Sequence, residues 1–226
     1  MGRRDWQAFC IAKGMKALLA MMFAFSSCFG ITMTYDGSIP ALFQTTALSL
    51  DGNSTSMYTG QIGVRFNDGS EALLFCSDPL VFLRNDAVPV TAMAASGLTY
   101  GSRLAWMLAQ YESSISQSWQ AAAFQLATWD IVFDGGNGFG DGRVKSQAGT
   151  DSQVLGLANS MLAASAGQSA GGVMFYVPDQ GVGYSQTLFG FGFAALRVMN
   201  TETPEPSTFL LLGAGLLGVG AWRRRD

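Results

Sequence analysis

The sequence predicts an α+β fold: a β-rich domain with a helical insertion, flanked by an N-terminal signal peptide and an apolar C-terminal helix. Three observations point there. Strand-like patterning between turn residues runs from about Ile39 to Cys76 and returns at Gly172–Val177 and Gln186–Val198, the last interrupted by Gly190 and Gly192. Between these stretches, three segments carry the apolar period of a helix. Finally, 28 glycines and long Ser, Thr and Ala runs favour turns and strands over a helical bundle, while 49% hydrophobic residues against 13% charged ones supply ample core. The 226 residues divide into a signal segment at 1–30, a body at 31–200 and a tail at 201–226.

Residues 1–30 have the parts of a secretory signal: basic residues up to Lys16, an apolar run Ala17–Phe25, then Ser26 and Ser27. The run is short for a membrane span, and cleavage fits after Ser26, Ser27 or Gly30. Ser26-Ser27-Cys28 also offers a lipidation site of lipobox type. Once this segment is processed, Cys76 is the one cysteine available. In an oxidising compartment it has no internal disulfide partner.

Tyr58–Phe66 and Glu71–Cys76 flank Asn67-Asp68-Gly69-Ser70, a hairpin signature, and Asp78-Pro79 ends the second strand just after Cys76. Ser102–Glu112 reads as a first helix with Leu104, Trp106, Leu108 and Tyr111 toward the core. Gln117–Asp134 is the central helix. Its Ala122, Leu126, Trp129 and Phe133 form one apolar stripe, Ser116 or Ser118 caps its start, and the Gly-rich stretch Asp134–Gly142 ends it. In that stretch Asp134, Asn137 and Asp141 offer oxygens to calcium, but the spacing is not that of an EF-hand and a solvated loop is the simpler expectation. No metal or cofactor is expected. Asp151–Ala164 is a third helix, capped by Thr150 or Asp151.

Charge narrows the function. A net charge of −3 argues against nucleic acid as a partner. The chain has no histidine, which removes Ser-His and Cys-His nucleophile systems and most catalytic zinc sites. A hydrolase built on carboxylates alone stays open, although no acidic pair is marked by spacing. Between the two termini the single lysine is Lys145. That scarcity suits a protein carrying an electrophile selective for amines, and it disfavours a Lys–Asn isopeptide cross-link.

Gln125 lies inside the apolar stripe, where a carboxamide has three or four hydrogen bonds to satisfy. Its candidate partner is Cys76. A thiol and a glutamine carboxamide can condense with loss of ammonia into an internal thioester, with Trp129 and Phe75 placed to keep water away. A freed thiol of ordinary pKa, about 8.5, is a good leaving group. The plainer expectation is that Cys76 is a small buried hydrophobe and Gln125 a core amide bonded to backbone.

Phe75-Cys76 with Gln125-x-Ala127-x-Trp129 downstream resembles the thioester domain of bacterial surface adhesins, over roughly residues 40 to 200. The resemblance implies that Cys76 and Gln125 are cross-linked and that an amine or hydroxyl on a partner opens the bond, leaving a covalent attachment. No turnover follows, so the protein is not expected to be an enzyme. At the other end, Pro204-Glu205-Pro206 precedes an apolar Gly-rich segment, Thr208–Trp222, and the basic cluster Arg223, Arg224 and Arg225. This tripartite tail resembles the PEP-CTERM sorting signal of Gram-negative bacteria. It implies an exosortase as processing partner, a transmembrane helix that anchors the chain transiently in the inner membrane with its arginines cytoplasmic, and a final place at the cell surface or in the extracellular matrix of a biofilm. The alternative is a non-covalent structural or carbohydrate-binding envelope protein with the same tail.

Overall fold

The computed structural model describes residues 30–181 and 183–192. The predicted signal peptide, save Gly30, and the sorting tail with Pro204, Glu205, Pro206, Arg223, Arg224 and Arg225 lie outside the described residues. Among the described residues no helix is long and apolar enough to cross a membrane.

In chain order the elements are β1 (Ile31–Tyr35), β2 (Phe43–Leu50), β3 (Asn53–Gly60), β4 (Ile62–Phe66), β5 (Glu71–Cys76), β6 (Val88–Ala94), α1 (Gly101–Tyr111), α2 (Ser118–Asp134), β7 (Val144–Ser146), α3 (Ser152–Ser165), β8 (Val173–Pro178) and β9 (Leu188–Phe191). Six strands close into an antiparallel barrel in the order β1-β4-β5-β9-β8-β6, and the other three form a sheet ordered β3-β2-β7. The helices fall between β6 and β8, which are neighbours in the barrel. The helical insertion is therefore a long excursion between two neighbouring barrel strands, and the predicted α+β architecture holds at that level.

Two cores follow from strand alternation. The barrel interior takes one residue in two from every strand: Met33, Val64, Phe66, Leu74, Cys76, Val88, Val90, Tyr176 and Leu188. The opposite faces of β5, β8 and β9 present Phe75, Phe175 and Phe189, which meet Phe124 of α2; the Phe75 and Phe124 rings lie 4.3 Å apart and those of Phe175 and Phe189 5.1 Å apart. Burying each such ring is worth roughly 1.5–3 kcal/mol, so this aromatic seam fastens the helical layer to the barrel.

The single stripe expected on the central helix is corrected by the structure. Every residue of α2 from Ala121 to Ile131 is buried, because the barrel wall, the β2–β3 sheet, α1 and α3 surround it. Its start is also different. Gln117 is the N-cap, and the Gln120 carboxamide reaches back to accept from the N–H groups of Ser116 at 2.9 Å and Gln117 at 3.0 Å. Gly135, left-handed at φ 71°, closes the helix. Trp106 is half-buried rather than core, and Met107 takes the inner place on α1. The third helix starts as expected, with Asp151 accepting from the Gln153 N–H at 2.8 Å. Strands β1, β6 and β7 were not anticipated.

Tyr58–Phe66, predicted as one strand, is two strands in two sheets. At Gly60 the backbone takes φ 140°, and a Cβ there would lie 2.3 Å from the Leu42 carbonyl oxygen and 2.7 Å from Phe43 Cα. Only glycine allows the chain to press against β2 and then turn into the barrel. The Asn67–Ser70 hairpin forms as predicted, with Gly69 at φ 83°.

Beyond α2, carboxylates secure the Gly-rich loop. Asp134 accepts from the Arg143 N–H at 2.9 Å and the Val144 N–H at 2.8 Å, so its carboxylate holds the backbone at the end of this loop. No cluster suited to a metal ion occurs among the described residues. Asp130 is fully buried; one oxygen accepts from the Gly138 N–H at 3.0 Å and the other has no partner. Burial pushes its carboxyl up to about 6, aided by the charge of Asp134 and opposed by the Gly138 N–H and Arg103.

Two outcomes test this account. Gly60→Ala should lower the unfolding free energy in urea by about 2 kcal/mol or more, whereas Gly140→Ala, where a Cβ meets nothing within 4 Å, should change it little. The folded-state pKa of Asp130 lies above its unfolded value of 3.8, so the unfolded chain gives up this proton first as pH rises. Stability is therefore full below about 4 and is lost up to about 6. Asp130→Asn should match the parent in melting temperature at pH 4 and exceed it at pH 7; equal melting curves at both would show that the carboxyl is not strained.

Candidate functional site

The site begins with a missing strand partner. In the barrel Ile62 of β4 stands opposite Leu74 of β5, so the same antiparallel register would set Gly60 opposite Cys76. Gly60 has instead left for the second sheet, where it pairs with Phe43. The backbone N–H and C=O of Cys76 on that side have lost their ladder partner, and both are buried.

Gln125 fills the place. Its Oε1 accepts from the Cys76 N–H at 3.0 Å and its Nε2 donates to the Cys76 carbonyl at 2.5 Å. Trp129, one helical turn along α2 and so on the same face, donates from Nε1 to that carbonyl at 3.1 Å. A primary amide has the donor and acceptor of a peptide group, which lets it substitute for a strand. The three residues Cys76, Gln125 and Trp129 are thus brought together, across 49 residues between the first two. The other two motif residues are not. Phe75 points to the opposite face of β5, against Phe124 and Phe189, and shields the site from the core side only. Ala127 is fully buried but lies roughly 200° round the helix from Gln125.

The Cys76 side chain accepts from the Asp78 N–H at 3.2 Å. Burial pushes its thiol up to about 12; the Asp78 N–H and the Trp129 indole bring it partly down, and the Asp78 charge raises it again. The ordinary thiol acidity expected from the sequence does not apply to this buried sulfur, which is a neutral S–H at any physiological pH.

Cys76, Gln125 and Trp129 line a cleft of about 950 Å³. Tyr35, Phe43, Tyr58, Leu80 and Phe82 are the exposed large apolar side chains of the described residues, and all five line this cleft. Scattered apolar exposure is ordinary, whereas a cluster round one opening marks a contact surface. Asp36 is the one charged residue in the lining among the described residues; hydrogen bonds from the Ser38 hydroxyl and N–H, aided by Arg65 at 2.8 Å, hold its carboxyl down to about 2. Sequence reasoning missed this rim. Its one local signal is a pair of apolar residues, Leu80 and Phe82, placed after the strand-ending Asp78-Pro79.

No curated protein and no solved structure matches the chain. Residues 202–225 match the family model of the PEP-CTERM protein-sorting motif, which marks an exported protein whose C-terminal signal is processed by an exosortase.

Proposed function

We propose that Cys76 and Gln125 form an internal thioester and that the protein uses it to attach itself covalently to a partner outside the cell. The observation that carries this reading is the Gln125 carboxamide seated on Cys76 at the floor of an open, apolar-rimmed cleft. In the forming step Cys76 Sγ bonds to the Gln125 carbonyl carbon, the C–N bond breaks, and ammonia leaves with the thiol proton. The Cys76 N–H bonded to Oε1 is positioned to stabilise the oxyanion that develops on that atom. Loss of Nε2 removes one donor to the Cys76 carbonyl, and the Trp129 indole continues to satisfy it.

In the opening step a partner amine or hydroxyl bonds to the acyl carbon, the C–S bond breaks and the nucleophile's proton passes to sulfur. Burial that holds the thiol near 12 favours its neutral form, so no stranded thiolate remains. The partner stays attached, and the protein acts once rather than as an enzyme. With export and sorting by an exosortase, the setting we propose is the surface or extracellular matrix of a Gram-negative cell, reached through the inner membrane. The exposed rings of Tyr35, Phe43 and Tyr58 favour a second reading, non-covalent binding of a carbohydrate in the same cleft.

Intact mass decides between them. The purified chain should weigh one ammonia less than its processed sequence, Cys76→Ala should show no deficit, and methylamine should convert the parent to its methylamide. Full mass, with one thiol titrating after denaturation, would remove the covalent reading and leave the second.

A further inference from the structure

We infer that the partner enters this cleft as an extended polypeptide that adds a strand to the free edge of β3 and presents a lysine to the Cys76–Gln125 centre. The inference rests on the thioester reading for its chemistry, but its docking argument stands on β3 alone.

The barrel is closed and has no edge. In the second sheet β7 is only three residues long and carries Lys145, which blunts that side. β3 is different. It is eight residues long, contains no charge and no proline, and among the described residues pairs with β2 alone. Proteins ordinarily guard such an edge, because its open N–H and C=O groups template another strand.

The phase of these groups follows from the hairpin. Leu50 and Asn53 flank a two-residue turn, Asp51-Gly52, with φ of 51° and 80°. The flanking pair of such a turn exchanges both backbone bonds. Odd-numbered residues of β3 therefore bond to β2, and Ser54, Ser56, Tyr58 and Gly60 point their N–H and C=O away. The Asp51 N–H on the Arg143 carbonyl at 2.9 Å and the Gln61 N–H on the Leu42 carbonyl at 2.8 Å have the same phase.

This edge opens onto the reacting centre. Ser56, Tyr58 and Gly60 line the cleft together with Cys76 and Gln125, and Gly60 is the residue whose departure left Cys76 without a strand partner. A strand laid on β3 would follow this wall toward Gln125, with Leu80 and Phe82 across from it. Strand addition draws affinity from main-chain bonds and selectivity from alternate side chains. Charge does not oppose a lysine: among the described residues no cation lines the cleft, and its one charged group, Asp36, is already paired with Arg65. On reaction the uncharged amine nitrogen bonds to the Gln125 acyl carbon, the C–S bond breaks, and the amine proton goes to Cys76 Sγ.

The test uses the purified chain and three probes: methylamine, an eight-residue Thr/Val peptide with one central lysine, and the same peptide N-methylated at alternate backbone nitrogens. Adduct formation is followed by intact mass. The unmodified peptide should react at least about tenfold faster than methylamine at equal concentration, and N-methylation should abolish that advantage. Ser56→Pro removes an outward N–H without touching the β2 ladder; that variant should no longer distinguish the unmodified peptide from the N-methylated one. Equal rates for the two peptides, with methylamine still reacting, would overturn strand addition and leave the thioester standing. If methylamine fails to react, the thioester reading fails, and docking is then judged on Cys76→Ala. That variant should bind the unmodified peptide at least about tenfold more tightly than the N-methylated one; equal affinity would overturn it.

Discussion

The structure depends on one pairing, the Gln125 carboxamide against the backbone of Cys76. Both partners are buried, and each would be left with unmet hydrogen bonds without the other. An orphaned buried polar group costs about 1–3 kcal/mol, and here five donor or acceptor atoms in three hydrogen bonds are at stake with Trp129 included. Turning α2 by one residue, roughly 100°, would strand them all. The amide pair therefore sets the rotation of the central helix, which in turn fixes where Phe124 meets the barrel and where β2 and β3 rest.

That pairing exists because one glycine releases a strand. At Gly60 the chain leaves the position beside Cys76 and joins β2 instead. The single departure has three results: an unpaired peptide at the end of β5, an opening beside it, and a β3 whose outer edge faces that opening. A barrel of uninterrupted strands would have paired the Cys76 backbone and left no opening beside it. The cleft and its floor are thus two sides of one topological event, and the neutral thiol follows from the same burial that the amide pair enforces.

What was legible in the sequence is what local chemistry decides. Asn67–Ser70 announces its hairpin, Asp151 its helix cap, and Asp78-Pro79 the end of β5. Gln125 was legible for a different reason, since a carboxamide amid apolar residues must find a partner, and Cys76 with Trp129 stood out by residue type. The break at Gly60 was not legible, because Tyr58–Phe66 keeps its alternation through the turn and only a contact with Leu42 and Phe43 divides it. Barrel closure joins β1 to β6 across more than fifty residues and leaves no local mark. The all-round burial of α2 was masked by Ala121, Ala123 and Ala127, small residues that count weakly as apolar yet are what a close-packed helix admits. Period-2 alternation places Phe75 on the face of β5 opposite Cys76, where it packs against Phe124 and Phe189.

The topology also settles how the molecule would bear tension. In the attachment proposed above, a partner joined to Gln125 would hang from α2, and the covalent route from there to the C-terminal tail would run through β7, α3, β8 and β9. Cys76 and everything before it lie off that route. A pull between partner and tail would load only the second half of the chain, while β5 is held by hydrogen bonds to β4 and β9 and carries none of the strain along its backbone. Under load the helix could be drawn from its seat while the sulfur stays in the barrel. Tension would then separate the spent acyl group from the thiol that could reverse its attachment.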